Sequence, residues 1–207
     1  RQQGSITDYL VTVIDNSTDT DIQDGLRKLI ESTWQRPGTT LRFLPTRQNL
    51  SYGRAHNLAI TTSTMDYHLV LNPDVVLDRE SLHNACLFMQ AHGRTALLTP
   101  AVYNGHSERE YLNKYYPDVN TLLLSGFAPV LVKKHIHEII SRYELRDRDP
   151  AQIRHDVPLA SGCFMFFKTS ILQQAGGFLD DYFLYFEDYD LSMRIRKLGE
   201  IAYSPDV

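Results

Sequence analysis

The sequence predicts an α/β protein, because short apolar runs typical of buried strands alternate with segments of helical periodicity. The composition agrees, since 43% of the 207 residues are hydrophobic and 22% are charged, as in ordinary globular proteins. A chain of this length forms one domain by default and buries a substantial core without metals or disulfides. We therefore expect a single domain over residues 1–207.

The first half of the chain is predicted to form three strands and three helices. Residues 9–14 are a β-branched apolar run, and Leu26, Leu29 and Ile30 repeat at helical spacing in the segment that follows. Pro73 ends the third strand, because proline cannot donate to a β-ladder. The expected strands are 9–14, 41–44 and 67–71, and the expected helices are 21–34, 52–61 and 81–92.

The second half is regular at both ends and irregular in the middle. Residues 104–156 show little periodicity apart from a helix expected near 134–143. Glycines at 176–177 and at 199 mark the ends of the last two helices. The expected strands here are 96–99 and 162–167, and the expected helices are 170–175 and 188–198.

Charge and cysteine content argue against several classes of protein. The net charge of -4 argues against binding to a nucleic-acid backbone, which needs a clustered basic surface. Cys86 and Cys163 lie far apart in apolar contexts, so they predict neither a disulfide framework nor a zinc site. The longest apolar stretch, residues 121–132, is too short to span a membrane, and no signal peptide is recognisable. We expect a cytoplasmic protein.

Two polar clusters directly follow predicted strands. Asp15 opens the first, residues 15–19, which also fits a plain turn that caps the next helix. Asn72 and Asp74 flank Pro73 just past the third strand. Ligands bind open α/β sheets at this edge, and a carboxylate here suits a divalent cation that bridges phosphates, although a plain turn has the same composition.

A third polar cluster begins the last predicted helix. Glu187, Asp188 and Asp190 fall in its first turn, where the positive end of the helix dipole stabilises acidic side chains. A catalytic carboxylate placed there benefits from the same dipole. The structural and the catalytic interpretations therefore do not exclude each other.

In this order along the chain, the polar clusters and their surroundings resemble the family 2 glycosyltransferases, which have the nucleotide-sugar-binding GT-A fold. Residues 71–74, Leu-Asn-Pro-Asp, stand where the Asp-x-Asp motif of the family belongs, and this match is the most specific. The last part of the chain looks like the branch that contains bacterial rhamnosyltransferases. The other matching segments are 13–19, 49–53 with Asn57, 161–165, 176–178, and 183–191 with Arg194.

The resemblance implies a mostly parallel central sheet with helices on both faces, and it implies a donor-side role for each motif. Asp15 would contact the nucleotide base or ribose, and Asn49 and Gly53 would border the nucleotide. Asn72 would contact the nucleotide sugar. Asp74 would hold Mg²⁺ or Mn²⁺ against the diphosphate, where the metal neutralises the leaving group. The donor favoured by the branch is dTDP-rhamnose, with UDP-hexose or GDP-sugars as alternatives.

On the acceptor side, the resemblance implies that Asp188 is the general base, which takes the proton of the attacking hydroxyl. A single displacement then inverts the anomeric centre. Ser161, Gly162 and Glu187 would bind the acceptor, a glycan or a polyprenyl-linked glycan of bacterial surface polysaccharide synthesis. Arg194 either faces a phosphate or pairs with the neighbouring carboxylates, and we expect the pairing.

The sequence departs from the family pattern in two ways. Asn72 replaces the first acid of the Asp-x-Asp motif, and the opening strand of the family should precede Arg1. Family members also continue beyond the position of residues 205–207, so we expect a fragment of a larger enzyme, truncated at both ends. Two other functions stay open: a non-catalytic nucleotide-sugar-binding or glycan-binding module, and a nucleotidyltransferase.

The irregular region 104–156 is expected to be a variable part on the acceptor side. Its segment 122–134 is apolar and ends in Lys133 and Lys134, which suits peripheral contact with an anionic membrane surface. Core packing or a homodimer contact explains the same pattern at least as well.

Overall fold

The predicted alternation of strands and helices is present in the computed structural model, which describes residues 8–34, 38–116, 141–146, 148–182 and 185–207. In chain order the elements are β1 (Tyr9–Asp15), α1 (Thr20–Thr33), β2 (Thr39–Pro45), α2 (Tyr52–Ile60), β3 (Tyr67–Leu71), α3 (Ser81–Ala91), β4 (Thr95–Pro100), β5 (Val102–Tyr103), β6 (Arg109–Glu110), β7 (Phe164–Lys168), α4 (Thr169–Gln174), α5 (Glu187–Ile195) and β8 (Glu200–Ser204).

The strands form a four-stranded sheet in the order β3-β7-β4-β8 and two smaller sheets, β1-β2 and β5-β6. β7 runs antiparallel to β3 and β4, whereas β4 is parallel to β8, and β1 is parallel to β2. The α/β class is confirmed, but the mostly parallel central sheet is corrected to a mixed one. Residues 164–167, Phe-Met-Phe-Phe, are apolar on both faces, which predicts a buried strand without indicating its direction.

Helices cover both faces of the four-stranded sheet, as expected. Side chains of β7 alternate, so that Met165 and Phe167 lie in one apolar cluster and Phe164 and Phe166 lie in the other. The first cluster includes residues of α2, α4 and α5, and the second includes residues of α3. Burying one such side chain stabilises a protein by about 1.5–3 kcal/mol, so this sheet holds most of the hydrophobic stabilisation of the described residues.

The unit formed by β1, α1 and β2 is far less buried. Among the residues of these three elements, only Asp15 is buried. Apolar side chains of α1 stay in solvent, since Ile22 and Leu29 are 58% and 59% exposed. β1 and β2 hydrogen-bond to each other, and the end of β1 forms one side of the site described below.

Most element boundaries agree with the sequence prediction within three residues, and β3 agrees residue for residue. β8 was not predicted, because only three apolar residues, 201–203, separate Glu200 from Ser204. The helix expected near 134–143 lies largely outside the described residues. Of that segment the structure describes only residues 141–143, which are helical. Within the described ranges, no helix combines the length and the apolar character that crossing a bilayer requires.

Candidate active site

The candidate site lies at one edge of the sheets, where β1 and β3 end and β7 begins. Leu71 of β3 pairs with Phe164 of β7, so the loop before β7 lies beside the turn after β3. The backbone N–H of Asn72 donates to the carbonyl oxygen of Cys163 at 3.0 Å. The antiparallel direction of β7 thus brings residues 161–163 to the same edge as the Asn-Pro-Asp turn.

Asp15, at the end of β1, is only 7% exposed. Its Oδ1 accepts a hydrogen bond from the backbone N–H of Ser17 at 2.9 Å. Its Oδ2 is buried and has no hydrogen-bond partner among the described residues. A buried acceptor without a partner is costly, so this oxygen is available to a donor group of a ligand.

Asn16 connects the end of β1 to the loop before α2, a role that sequence reasoning missed. Its Oδ1 accepts from the backbone N–H of Leu50 at 2.8 Å, and its Nδ2 donates to the carbonyl oxygen of the same residue. Asn49 is exposed at the rim of this loop, and its Oδ1 lies 3.5 Å from the Asn16 Nδ2. Asparagine after a strand is so common in turns that the sequence contained no signal for this link.

Gly53 lies in the first turn of α2, where the structure gives it a packing role. A Cβ at this position would lie 2.5 Å from the Cβ of Phe178, so only glycine permits this approach. Asn57, one turn later, holds the same residue: its Nδ2 donates to the Phe178 carbonyl at 2.8 Å, and its Oδ1 accepts from the Phe178 N–H at 2.9 Å. The nucleotide contact predicted for Gly53 stays a prediction.

Tyr52, the first residue of α2, contacts both the Asn-Pro-Asp turn and the loop before β7. Its hydroxyl lies 3.0 Å from Asn72 Oδ1 and 2.9 Å from the carbonyl oxygen of Gly162. A hydroxyl has one proton, so both bonds form together only if the Asn72 amide turns its Nδ2 toward Tyr52. Burial raises the pKa of Tyr52, and the charge of Asp188 raises it further, so the hydroxyl stays protonated. Sequence reasoning did not single out Tyr52.

Asp74 is exposed and has no hydrogen bond or ion pair to any described residue. Asp74 lies two residues after Asn72, whose N–H donates to the Cys163 carbonyl oxygen, and the N–H of the neighbouring Gly162 donates to Asp188. The Asn-Pro-Asp turn and Asp188 therefore both adjoin the 161–163 loop. The structure brings the predicted metal residue and the predicted base to the same region.

Asp188 is the second residue of α5, and its carboxylate is held by two backbone amides. Its Oδ2 accepts from the N–H of Gly162 and its Oδ1 from the N–H of Tyr189, both at 2.9 Å. Burial raises the pKa of Asp188, and these two hydrogen bonds offset part of that rise. The result is an oriented carboxylate with a stronger affinity for a proton than an exposed aspartate has.

Glu187 and Ser161 lie beside this carboxylate. Glu187 is 8% exposed, and its Oε2 has no hydrogen-bond partner among the described residues. Burial raises the pKa of Glu187, and the charge of Asp188 adds to the effect. Ser161 precedes Gly162 and lines a cavity next to the site. These positions agree with the predicted acceptor side, although no acceptor contact is tested.

Asp190 and Arg194 form an ion pair one helical turn apart, as expected. The Asp190 Oδ2 lies 2.6 Å from the Arg194 Nη2 and accepts from its Nε at 2.7 Å. The same arginine donates to the carbonyl oxygen of Gly177 at 2.7 Å. Arg194 therefore fastens α5 to the glycine turn after α4, and Asp190 holds its guanidinium in place.

No family model matches the chain, but two curated proteins are similar to it in sequence. An N-acetylglucosaminyl-diphospho-decaprenol L-rhamnosyltransferase of Mycobacterium tuberculosis is 26% identical over 78% of this chain. The amylovoran biosynthesis glycosyltransferase AmsE of Erwinia amylovora is 26% identical over the whole chain. The chain spans 55% and 65% of the lengths of these two relatives.

Solved structures give the fold. A mannosyltransferase of Pyrobaculum calidifontis, in complex with GDP-Man and Mn²⁺, superposes with a TM-score of 0.61 at 16% identity, over 95% of this chain and 46% of its own. TarS of S. aureus, in complex with UDP, gives 0.58 at 17% identity over all of this chain and 51% of its own. The chain has the GT-A glycosyltransferase fold. Its resemblance to family 2 glycosyltransferases is thereby confirmed.

Proposed function

We propose that this chain is the donor-binding and catalytic part of an inverting glycosyltransferase. It would move a sugar from a nucleoside diphosphate sugar to a glycan or lipid-linked glycan in cell-surface polysaccharide synthesis. The main support is the arrangement of the unpartnered Asp15 oxygen at the end of β1, the exposed Asp74 in the turn after β3, and the half-buried Asp188, whose carboxylate accepts from Gly162. The relatives support transfer of a sugar in surface-glycan synthesis, and the finer steps below are proposals.

The donor side consists of the end of β1, the loop before α2 and the turn after β3. Asp15 Oδ2 accepts a hydrogen bond from the nucleoside, and the Asn49 loop, fixed by Asn16, borders it. Asp74 fits Mg²⁺ or Mn²⁺, because Mg²⁺ often uses one or two carboxylates and takes its remaining ligands from phosphates and water. When bound, the metal neutralises charge on the departing diphosphate. Asn72 faces Tyr52 and contributes no charge to this set.

The chemical step uses Asp188. Its carboxylate takes the proton of the acceptor hydroxyl as that oxygen attacks the anomeric carbon, from the face opposite the nucleoside diphosphate. The bond from the anomeric carbon to the diphosphate oxygen breaks in the same step, so the anomeric configuration inverts. The Gly162 and Tyr189 amides fix the carboxylate in one orientation. Burial disfavours its charged form, and proton transfer relieves that cost.

The donor and the acceptor are proposed from the relatives. The rhamnosyltransferase name supports dTDP-rhamnose as donor and a diphosphate-linked polyprenyl glycan as acceptor. Solved neighbours were obtained with GDP-Man and with UDP, which keeps those nucleotides in the panel below. We propose that the protein acts in the cytoplasm, at the inner face of the plasma membrane, where it would meet such an acceptor. Segment 122–134, which was expected to contact that membrane or a second subunit, lies outside the described residues.

The decisive experiment is titration calorimetry with a donor panel. The protein is titrated with dTDP-rhamnose, UDP-glucose and GDP-mannose, each with Mn²⁺, with Mg²⁺ and with EDTA. We expect one nucleotide to bind, and to bind more weakly in EDTA. Absence of metal-dependent heat with every donor contradicts the proposal.

The two alternative functions are distinguished when the panel is extended with acceptor, nucleoside triphosphates and sugar phosphates. A non-catalytic binding module binds a donor but never releases nucleoside diphosphate in the presence of acceptor. A nucleotidyltransferase binds a nucleoside triphosphate with a sugar phosphate and releases pyrophosphate. The position of Asp188 beside residues 161–163 favours the glycosyltransferase, since a binding module has no need of an oriented base there.

A further inference from the structure

Gly162 lies between two groups of the candidate site that are far apart in the sequence. Its N–H donates to Asp188 Oδ2 at 2.9 Å, and its carbonyl oxygen lies 2.9 Å from the Tyr52 hydroxyl. A Cβ on this residue would lie 3.5 Å from that hydroxyl and 3.6 Å from Asp188 Oδ2, so the two groups flank it closely. The proposed base and Tyr52 are therefore joined through a single residue.

The backbone at Gly162 depends on its neighbours for a fixed direction. It lies in a turn, since β7 begins only at Phe164. Glycine has the widest range of backbone conformations, and it has no side chain that packing can hold. The direction in which its N–H points is therefore set by the contacts of its other atoms. The Tyr52 hydroxyl supplies such a contact at the carbonyl oxygen.

Tyr52 is held by its ring, so that its hydroxyl has a fixed position. The ring centroid lies 4.5 Å from that of His56 and 5.8 Å from that of Phe178, and the ring also packs against the apolar core. Burial raises the pKa of Tyr52, so the hydroxyl keeps its proton at neutral pH. The result is a hydrogen-bond donor of fixed direction beside the 161–163 loop.

Asn72 determines which acceptor receives the Tyr52 proton. Its side-chain amide lies 3.0 Å from the Tyr52 hydroxyl, and its backbone N–H donates to the Cys163 carbonyl oxygen at 3.0 Å. With Nδ2 turned toward Tyr52, the amide donates to the hydroxyl oxygen, and the hydroxyl proton goes to Gly162. An aspartate at position 72, as in the Asp-x-Asp motif, has only acceptor oxygens when it is ionised. It would compete with Gly162 for the same proton.

We infer that Tyr52 is a positioning residue for the proposed glycosyl transfer: its hydroxyl fixes the Gly162 backbone, which in turn orients the Asp188 carboxylate. The inference rests on the proposed function in one respect, that Asp188 is the base. It gives Asn72 a role that a second acid does not fill, because only the amide leaves the Tyr52 proton for Gly162. The turn that carries Asp74 and the proposed base are thus connected through Tyr52.

Amide hydrogen exchange of Gly162 tests this connection without a substrate. The chain is labelled with ¹⁵N-glycine and kept near neutral pH in EDTA without nucleotide, and the Gly162 signal is assigned by its loss in Gly162→Ala. Tyr52→Phe retains the packed ring and removes only the hydroxyl. Exchange of the Gly162 N–H should become roughly twofold to tenfold faster, the range for losing one hydrogen bond. Tyr103→Phe is the matched control, because that side chain on β5 is 58% exposed, and it should leave the rate unchanged.

A second glycine and a second substitution exclude a merely structural effect. The N–H of Gly199 donates to the Ile195 carbonyl oxygen at 3.0 Å, and its exchange rate should stay the same in every variant. Asn72→Asp should speed the exchange of Gly162, but it should add nothing in Tyr52→Phe, where no hydroxyl proton is left to divert. The inference is overturned if Gly162 exchanges normally in Tyr52→Phe, if Gly199 changes to the same extent, or if the two substitutions act additively.

Kinetics separate this inference from the proposed function. With the donor that binds in the calorimetric panel, Tyr52→Phe should lower the rate of nucleoside diphosphate release by roughly tenfold to hundredfold, the cost of misplacing a catalytic group, and leave the donor KM unchanged. A normal rate in Tyr52→Phe overturns the inference. Unchanged Gly162 exchange in a chain that transfers sugar removes only the role of Tyr52, whereas absence of metal-dependent heat with every donor removes the glycosyltransferase.

Discussion

The two sides of the candidate site are supported in different ways. On the donor side, Asp15 belongs to the β1–α1–β2 unit, whose other residues are not buried. On the acceptor side, Asp188 lies in the first turn of α5, and Leu191 and Ile195 of that helix are fully buried in the core beneath the four-stranded sheet. The proposed base thus lies on an apolar core, whereas the donor side has little packing beneath it.

Hydrogen bonds take the place of packing on the donor side. The Nε2 of Gln23 donates to the carbonyl oxygens of Ser17 at 2.7 Å and Thr46 at 2.8 Å, which ties α1 to the ends of β1 and β2. Asn16 holds Leu50 by two bonds. Each such bond contributes about 0.5–1.5 kcal/mol, so the donor side is held by a few weak interactions, whereas the acceptor side rests on the apolar core.

The largest expected effect is on the transfer rate, and it distinguishes the acceptor side from the donor side. Asp188→Asn should lower the transfer rate about 10² to 10⁴-fold while donor affinity is retained, because an amide keeps the shape but accepts no proton. Asp74→Ala should instead lower donor and metal affinity, with Asp78→Ala, an exposed acid in the same loop, as control. Rates of nucleoside diphosphate release and calorimetry with donor distinguish the two profiles. Normal turnover by Asp188→Asn would show that another group is the base.

The second prediction compares how much the four-stranded sheet and the β1–α1–β2 unit contribute to the unfolding free energy. Phe167 is fully buried in β7, so Phe167→Ala should lower the unfolding free energy by about 3–5 kcal/mol. Leu29→Ala, on the exposed face of α1, should change it by less than about 0.5 kcal/mol. Urea unfolding followed by circular dichroism measures both. Equal losses would show that α1 is packed far better in solution than its 59% exposure indicates.

The sequence allowed most elements to be predicted, because the strands of the core are apolar runs and the last two helices are followed by glycines. Strand direction could not be predicted in the same way. β7 is apolar on both faces whichever way it runs, so its antiparallel pairing with β3 and β4 depends on tertiary contacts alone. That pairing is what brings Gly162 to Asp188.

The candidate site was predictable where a motif places an acid at an element end, as for Asp15, Asp74 and Asp188. It was not predictable where a contact joins distant segments. Tyr52 reaches the carbonyl oxygen of Gly162, which is 110 residues away in the chain, and one sequence contains no signal of that pairing. For Gly53, the motif position suggested a contact with the nucleotide, whereas the structure shows close packing against Phe178.

A smaller effect is expected from the hydrogen bonds of the donor side. Asn16→Ala removes both bonds to Leu50, so the loop must be ordered when the nucleotide binds, and donor affinity should weaken by about 1–2 kcal/mol. Asn16→Asp keeps the oxygen that accepts from the Leu50 N–H, so its loss of donor affinity should be about half as large. Calorimetry with the preferred donor compares them. Unchanged affinity in both variants would show that the loop is ordered by other contacts.

The smallest effect depends on pH and involves Glu187. Burial, with the Asp188 charge adding to it, raises its pKa in the folded chain, so over the pH range just above its ordinary value of 4.5 the folded state binds more protons than the unfolded state. Linkage then requires the unfolding free energy to fall as pH rises through that range. Glu187→Gln has no proton to lose, so its stability relative to the unaltered chain should increase from pH 3.5 to pH 7, roughly spanning the glutamate titration. Melting temperatures at both pH values measure this difference. Glu31→Gln, at an exposed position, is the control and should follow the unaltered chain. A decrease in the relative stability of Glu187→Gln toward pH 7 would contradict the burial of an unpaired carboxylate beside Asp188.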